Sequence, residues 1–233
     1  MHVPDGFLDA PTSVATGAIA AVCVGTALVK ARKELDDKTA PMVGLVAAFV
    51  FAAQMITFPV GVGTSGHLMG GALAAVLIGP WSAILCLSVV FAVQCLLFAD
   101  GGITALGTNI TLMGLTTVAV GWLVFKVLQA VLPKRLSLVP IQAGVGAFLS
   151  VPVASLLFVG LYAVGGATHI PLGSLATAMV GVHLLIGIGE GIITFLSVGA
   201  ILAVRPDLVY GARGLLAKRE LEIKPSSTTG APA

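Results

Sequence analysis

Residues 177–203 read TAMVGVHLLIGIGEGIITFLSVGAILA, an apolar run with one imidazole (His183), one carboxylate (Glu190) and no lysine or arginine. A helix needs about 20 apolar residues to cross the ~30 Å hydrocarbon core of a bilayer, and this run exceeds that. Comparable stretches occupy 12–30, 40–58, 67–79, 81–98, 108–132 and 140–164, the third short and Gly-rich and followed by Gly79-Pro80. The whole chain is 58% hydrophobic and 9% charged, with mean hydropathy +1.08. Soluble domains carry about 25% charged residues. Backbone groups in lipid must be paired within their own segment, which requires helices, and the period-2 alternation of a membrane barrel is absent. The expectation is an all-α polytopic membrane helix bundle of about seven transmembrane helices over residues 1–205. A polar cytoplasmic tail over 206–233, rich in Ser, Thr, Pro and Gly at its end, is expected to be disordered.

Charge orients the bundle. Lys30, Arg32, Lys33 and Lys38 lie between the first two runs, Lys126, Lys134 and Arg135 near the end of the fifth, and Arg205, Arg213, Lys218, Arg219 and Lys224 after the last. All fall on one side, which the positive-inside rule makes cytoplasmic, with the C-terminus. The N-terminus and the loops at 59–66, 99–107 and 165–175 then face outward, carrying Asp5, Asp9 and Asp100. Those carboxylates either concentrate cations or are ordinary solvated loop residues. The net charge of +2 gives no pointer to nucleic acid. Cys23, Cys86 and Cys95 lie inside apolar runs without CxxC spacing, as small core residues do.

The chain opens Met1-His2-Val3-Pro4-Asp5-Gly6, without the basic region and early apolar run of a secretory signal, so the mature protein is expected to begin at Met1. A free α-amine, the backbone nitrogen of His2 and its imidazole Nδ1 can chelate one transition metal, closing a five- and a six-membered ring. Three coplanar nitrogens favour nickel or copper over calcium or magnesium and leave a fourth position open. His67, in Gly63-Thr64-Ser65-Gly66-His67-Leu68 on the same outer side, is either a packing histidine or the nitrogen that completes this site.

Other polar groups inside the membrane are costly and therefore informative. His183 and Glu190 are seven apart on one helical face, where they pair with each other or brace the bundle. Asn109 either caps the fifth helix or holds an inserted N-terminus. Gln54, Gln94 and Gln142 read as interhelical hydrogen-bond partners, and His169 as an exposed loop residue. Gly44, Ala48 and Ala52 recur every four residues, a small-residue stripe for close helix contact, inside the chain by first preference or on a separate membrane subunit.

Met1-His2-Val3-Pro4-Asp5-Gly6-Phe7-Leu8, Gly63-Thr64-Ser65-Gly66-His67-Leu68, Gly79-Pro80-Trp81, Phe98-Ala99-Asp100-Gly101-Gly102 and Gly187-Ile188-Gly189-Glu190-Gly191 together resemble the CbiM/NikM family. These are the substrate-capture components of energy-coupling factor (ECF-type ABC) transporters for cobalt and nickel. The resemblance covers nearly the whole chain to about Asp207. It implies seven helices with the N-terminus inserted from outside. It also implies a metal held by the Met1 amine, the backbone nitrogen and imidazole of His2, and His67. Asp5, Ser65, Asn109, His183 and Glu190 are candidates to line or support that pocket. The family often has a second Asn where this chain has Thr111-Leu112.

No cofactor is expected beyond the transported Co2+ or Ni2+. The chain has no G-x-x-x-x-G-K-[ST] loop, so ATP hydrolysis falls to partners. The resemblance implies a coupling transmembrane subunit, two ATPase subunits and a small accessory membrane subunit in a prokaryotic cell membrane, with a link to cobalamin biosynthesis. Rival readings are an intramembrane metalloenzyme built on His67, His183 and Glu190, which lacks HExxH and an activated nucleophile, and a stand-alone channel or secondary carrier.

Overall fold

The structure, a computed structural model, describes residues 1–35, 39–61 and 64–216. Lys38, Lys218, Arg219, Lys224 and residues 217–233 of the expected tail lie outside the described residues. Helix α1 spans Ala10–Lys30, with Asp9 as its N-cap accepting from Thr12 N at 2.9 Å. Next come α2 (Ala40–Gln54) and a short antiparallel ribbon of β1 (Phe58–Gly61) and β2 (Thr64–Gly66), followed by α3 (Gly71–Ile78) and α4 (Pro80–Leu97). The chain continues through α5 (Leu106–Asn109), a π-helical turn (Ile110–Leu115), α6 (Thr116–Val131), α7 (Val139–Gly165) and α8 (Leu172–Val204).

Among the described residues, five helical stretches are long and apolar enough to cross a membrane: Ala10–Lys33, Pro80–Leu97, Leu106–Val131, Leu136–Gly165 and Leu172–Val204. The protein is a multi-pass membrane protein. The other two expected crossings are shorter than their sequences suggested. Helix α2 ends at Gln54, and the run continues into the β-ribbon. Helix α3 has eight residues, all buried, and forms the centre of the bundle against α4, α6 and α7. Its Gly71, Ala72, Ala74 and Ala75 let neighbouring backbones close in, which is why an uncharged run this short is enclosed by protein. The outer faces of α1 and α6 expose Val14, Val22, Leu123 and Val131, as lipid-facing helices do.

The break between α3 and α4 is held from the basic end of the bundle. Glu34 is 4% exposed, and its carboxylate accepts from Ser82 N (2.7 Å), Ser82 Oγ (2.9 Å) and Trp81 N (3.2 Å) at the start of α4. An anion there satisfies orphan amides and the positive end of the helix dipole. Gly79 has φ +93°, and a Cβ on it would stand 2.6 Å from Glu34 Cδ, so glycine is required on both counts.

Two expectations change here. Residues 206–215 are ordered as 3₁₀ turns (Pro206–Leu208, Tyr210–Leu215) rather than part of a disordered tail. Val209 and Ala212 are fully buried and Gly211 packs on Phe125, so a few apolar residues in a polar stretch anchor it. Gly44, Ala48 and Ala52 are all exposed, so the stripe on α2 faces away from the bundle instead of packing within it. Equal spacing of small residues does not reveal which side of a helix is covered.

Candidate metal centre

Residues 1–9 thread into the end of the bundle opposite the lysines and arginines, held mainly by backbone contacts. Asn109 binds Val3 twice, its Oδ1 accepting from Val3 N (2.7 Å) and its Nδ2 donating to Val3 O (3.1 Å), and Gly102 N donates to the same carbonyl (2.9 Å). Asn109 is therefore the clamp on the inserted segment and lies at the end of α5, not at a helix start. Asp5 accepts from Thr104 N (2.8 Å), Thr104 Oγ1 (2.5 Å) and Ile103 N (3.2 Å). The Thr104 hydroxyl, then its amide, hold this exposed carboxyl below its ordinary value, so the tether persists at neutral pH and is lost only as pH falls through that lowered value. Downstream, Phe7 packs on Phe158 and Tyr162, while Asp9 N donates to Gly165 O and Ala167 N to Phe7 O. Gly101 and Gly102 admit the segment: a Cβ on Gly102 would sit 2.4 Å from Asp5 N.

This threading buries Met1 (1% exposed) and His2 (8%). Burial pushes the Met1 amine down to about 5, against the opposing pull of Asp100. The amine thus offers a free lone pair at neutral pH, where an exposed α-amine would remain largely protonated. Burial also lowers the His2 imidazole below its usual value.

The hydrogen-bond network orients two imidazoles toward each other. Gln54 Nε2 donates to Met69 O (2.8 Å), so Gln54 Oε1 accepts from Gln94 Nε2 (2.9 Å). That turns Gln94 Oε1 toward His2 Nε2 at 3.2 Å, which must be the N–H nitrogen. His67 Nδ1 lies 2.7 Å from the carbonyl of Leu68 and must also donate. The remaining atoms, His2 Nδ1 and His67 Nε2, are 3.1 Å apart, each carrying a lone pair. Asp100 Oδ1 approaches the same His2 Nδ1 at 3.1 Å. Three electron-rich atoms converge at this point. Two nitrogens bound to one ion at right angles through bonds of about 2.0–2.1 Å, as zinc makes to imidazole, are also about 3 Å apart. Among the described residues no group of three His, Cys, Asp or Glu side chains is placed to hold an ion unaided. The Met1 amine and the His2 backbone nitrogen are two further nitrogens of the same N-terminal segment.

Residues 2–208 match the CbiM family, described as the cobalt uptake substrate-specific transmembrane region. The chain belongs to this family. A Sorangium cellulosum relative, cobalt transport protein CbiM, is 34% identical over 214 residues, covering 90% of this chain and 94% of its own. An Archaeoglobus fulgidus relative named NikMN, for fused nickel transport, is 37% identical over 211 residues, covering 90% of this chain and 68% of its own. A crystal structure of a truncated transition metal transporter superposes with TM-score 0.80 at 30% identity, over 87% of this chain and 99% of the other. CbiM and NikM relatives are cobalt and nickel transport proteins, not enzymes.

Within this CbiM-family chain the other sequence candidates separate. His183 and Glu190 do not pair: His183 Nδ1 bonds Met179 O (2.7 Å), and Glu190 accepts from Met69 N (2.5 Å) and Gly70 N (2.7 Å). Glu190 thus fixes the backbone just beyond His67 and fastens α8 to the entry of α3. Glu190→Ala leaves two buried amides without an acceptor, at about 1–3 kcal/mol each. Thermal unfolding in detergent should show a clear loss of stability, smaller for Glu190→Gln, which keeps one acceptor oxygen.

Ser65 sits in β2 opposite Pro59 and His169 is exposed, as expected of a loop residue. Thr111 Oγ1 donates to Thr16 O (2.9 Å), which joins α1 to the π-helical turn. The residues that sequence reading underrated are Gln94 and Asp100, which touch His2 directly, and Gln54, which orients Gln94. A glutamine inside an apolar run was a signal, but not one that named its partner. Gln94→Leu removes the acceptor that sets the His2 tautomer. A metal titration by calorimetry should show affinity reduced about 10-fold or more, the usual range when a ligand's supporting hydrogen bond is lost.

Proposed function

We propose that this CbiM-family protein captures a divalent cobalt or nickel ion from the outer side, as the substrate-binding component of an ECF-type ABC importer. The carrying observation is the pair of lone pairs, His2 Nδ1 and His67 Nε2, facing each other at 3.1 Å beside the buried Met1 amine. On this reading the ion takes four nitrogens: the Met1 amine, the backbone nitrogen of His2, His2 Nδ1 and His67 Nε2. Deprotonation of the His2 amide on metallation, together with Asp100, offsets the dication's charge. Ordering the N-terminal segment excludes water, and Asn109 and Asp5 keep that order.

The basic end of the bundle is cytoplasmic on the positive-inside argument, in the plasma membrane of a prokaryote. Seven helices cross or enter the bilayer, with α3 enclosed by protein. Energy comes from two ATPase subunits through a coupling transmembrane subunit, assisted by a small accessory membrane subunit, and the cargo serves cobalamin biosynthesis when it is cobalt. The outward-facing Gly44, Ala48 and Ala52 leave a small-residue stripe on α2 suited to a partner helix.

Purified protein exposed to both ions in competition and analysed for metal content tests the capture role. One equivalent of cobalt or nickel is expected, and a protein that retains neither sinks it. Metal uptake that persists when the partner subunits are deleted would favour a stand-alone carrier.

A further inference from the structure

We propose that Asp100 is where an incoming divalent ion first meets the site, its carboxylate taking the ion from water and passing it to His2 Nδ1. This role rests on the four-nitrogen reading of the site and adds the path by which it fills. Those four nitrogens belong to residues that water barely reaches: Met1 is 1% exposed, His67 0%, and the His2 side chain 4%. The Asp100 side chain is 28% exposed, and its Oδ1 stands 3.1 Å from His2 Nδ1. One ring nitrogen therefore touches both a carboxylate open to water and, also at 3.1 Å, a buried imidazole. A hydrated cobalt or nickel ion must shed water before four nitrogens can enclose it. A carboxylate oxygen replaces the first of those waters without displacing the rest, and its charge draws the cation in.

The backbone is built to hold that carboxylate in place. Asp100 N donates to Gln94 O (3.0 Å), the carbonyl of the residue whose side chain sets the His2 tautomer. Ala99, just before it, has φ +53°, a left-handed conformation that a residue with a Cβ adopts at a cost and keeps only where its surroundings enforce it. Gly101 has φ +93°, and a Cβ there would stand 2.9 Å from Asn109 Nδ2 and 3.1 Å from His2 Cδ2. The turn thus packs against both the clamp and the ligand. Asp5 and Asp9, the carboxylates of the inserted segment, serve elsewhere: Asp5 is taken up by Thr104 and Ile103, and Asp9 caps α1. Asp100 instead contacts a nitrogen of the site.

Stopped-flow mixing of full-length protein with cobalt or nickel alone reads the association and dissociation rates, with melting temperature as the check on folding. Asp100→Asn should lower the association rate about 10-fold, as loss of a steering charge does, without raising the dissociation rate. Added salt should slow the wild type more than this variant, because it screens the charge that the variant lacks. Asp9→Asn removes the same charge from the same segment of surface and retains a good helix cap, so it should stay within about 2-fold of the wild type. A wild-type association rate in Asp100→Asn, a defect confined to faster dissociation, equal salt dependence, or an equal slowing in Asp9→Asn would each overturn the proposal while metal capture itself stands. A wild-type protein that binds neither ion would overturn the capture reading, and this path with it.

Discussion

One residue added ahead of Met1 is expected to lower cobalt and nickel affinity at least about 100-fold, roughly 2.8 kcal/mol, with the fold intact. The extension turns the α-amine into an ordinary amide, which removes the five-membered chelate ring and the donor that burial holds unprotonated. It also pushes a new residue into the space that encloses Met1, which is 1% exposed. Steric displacement and loss of a donor are separable. Acetylating the amine removes its lone pair with less added bulk than most residues bring, and it should produce a comparable loss. Calorimetric titration, with melting temperature as the check on folding, reads both. Unchanged affinity in the acetylated protein would mean that the four-nitrogen site is wrong.

On the proposed four-nitrogen site, His67→Ala should weaken binding by a similar factor of about 100, because it removes the nitrogen that would join the N-terminal chelate to the helix bundle. The same change relieves the confrontation of lone pairs at 3.1 Å, so the metal-free variant should not lose stability in proportion. This separation, affinity lost while melting temperature is nearly held, distinguishes a ligand from a packing histidine. Exposed His169→Ala serves as the control and should match the wild type in both measurements. A His67→Ala protein that binds metal normally would contradict the site directly.

Much of the architecture was legible because lipid imposes simple demands. Length and hydropathy located each apolar segment, and charge assigned the lysines and arginines to one side. Crossing number was less legible. The run at 67–79 looks like a poor span by composition, yet its character as a buried eight-residue core helix depends on α4, α6 and α7 closing over it. The exposed stripe of α2 went the other way, since periodicity marks a face without naming its neighbour. Glu34 gave no sequence signal at all. It sits among charged loop residues, and only the fold brings it to the amides of α4.

The linear order of residues determined that this chain lives in a membrane and which end collects its lysines and arginines, because composition and loop charge carry those facts locally. Only the tertiary structure decided that Gln54 and Gln94 set the His2 tautomer, that Asn109 clamps Val3, and that Asp100 and His67 converge on one ring nitrogen. Hydrogen-bond direction depends on which partner stands across a distance of a few ångströms, and those partners lie tens of residues away along the chain.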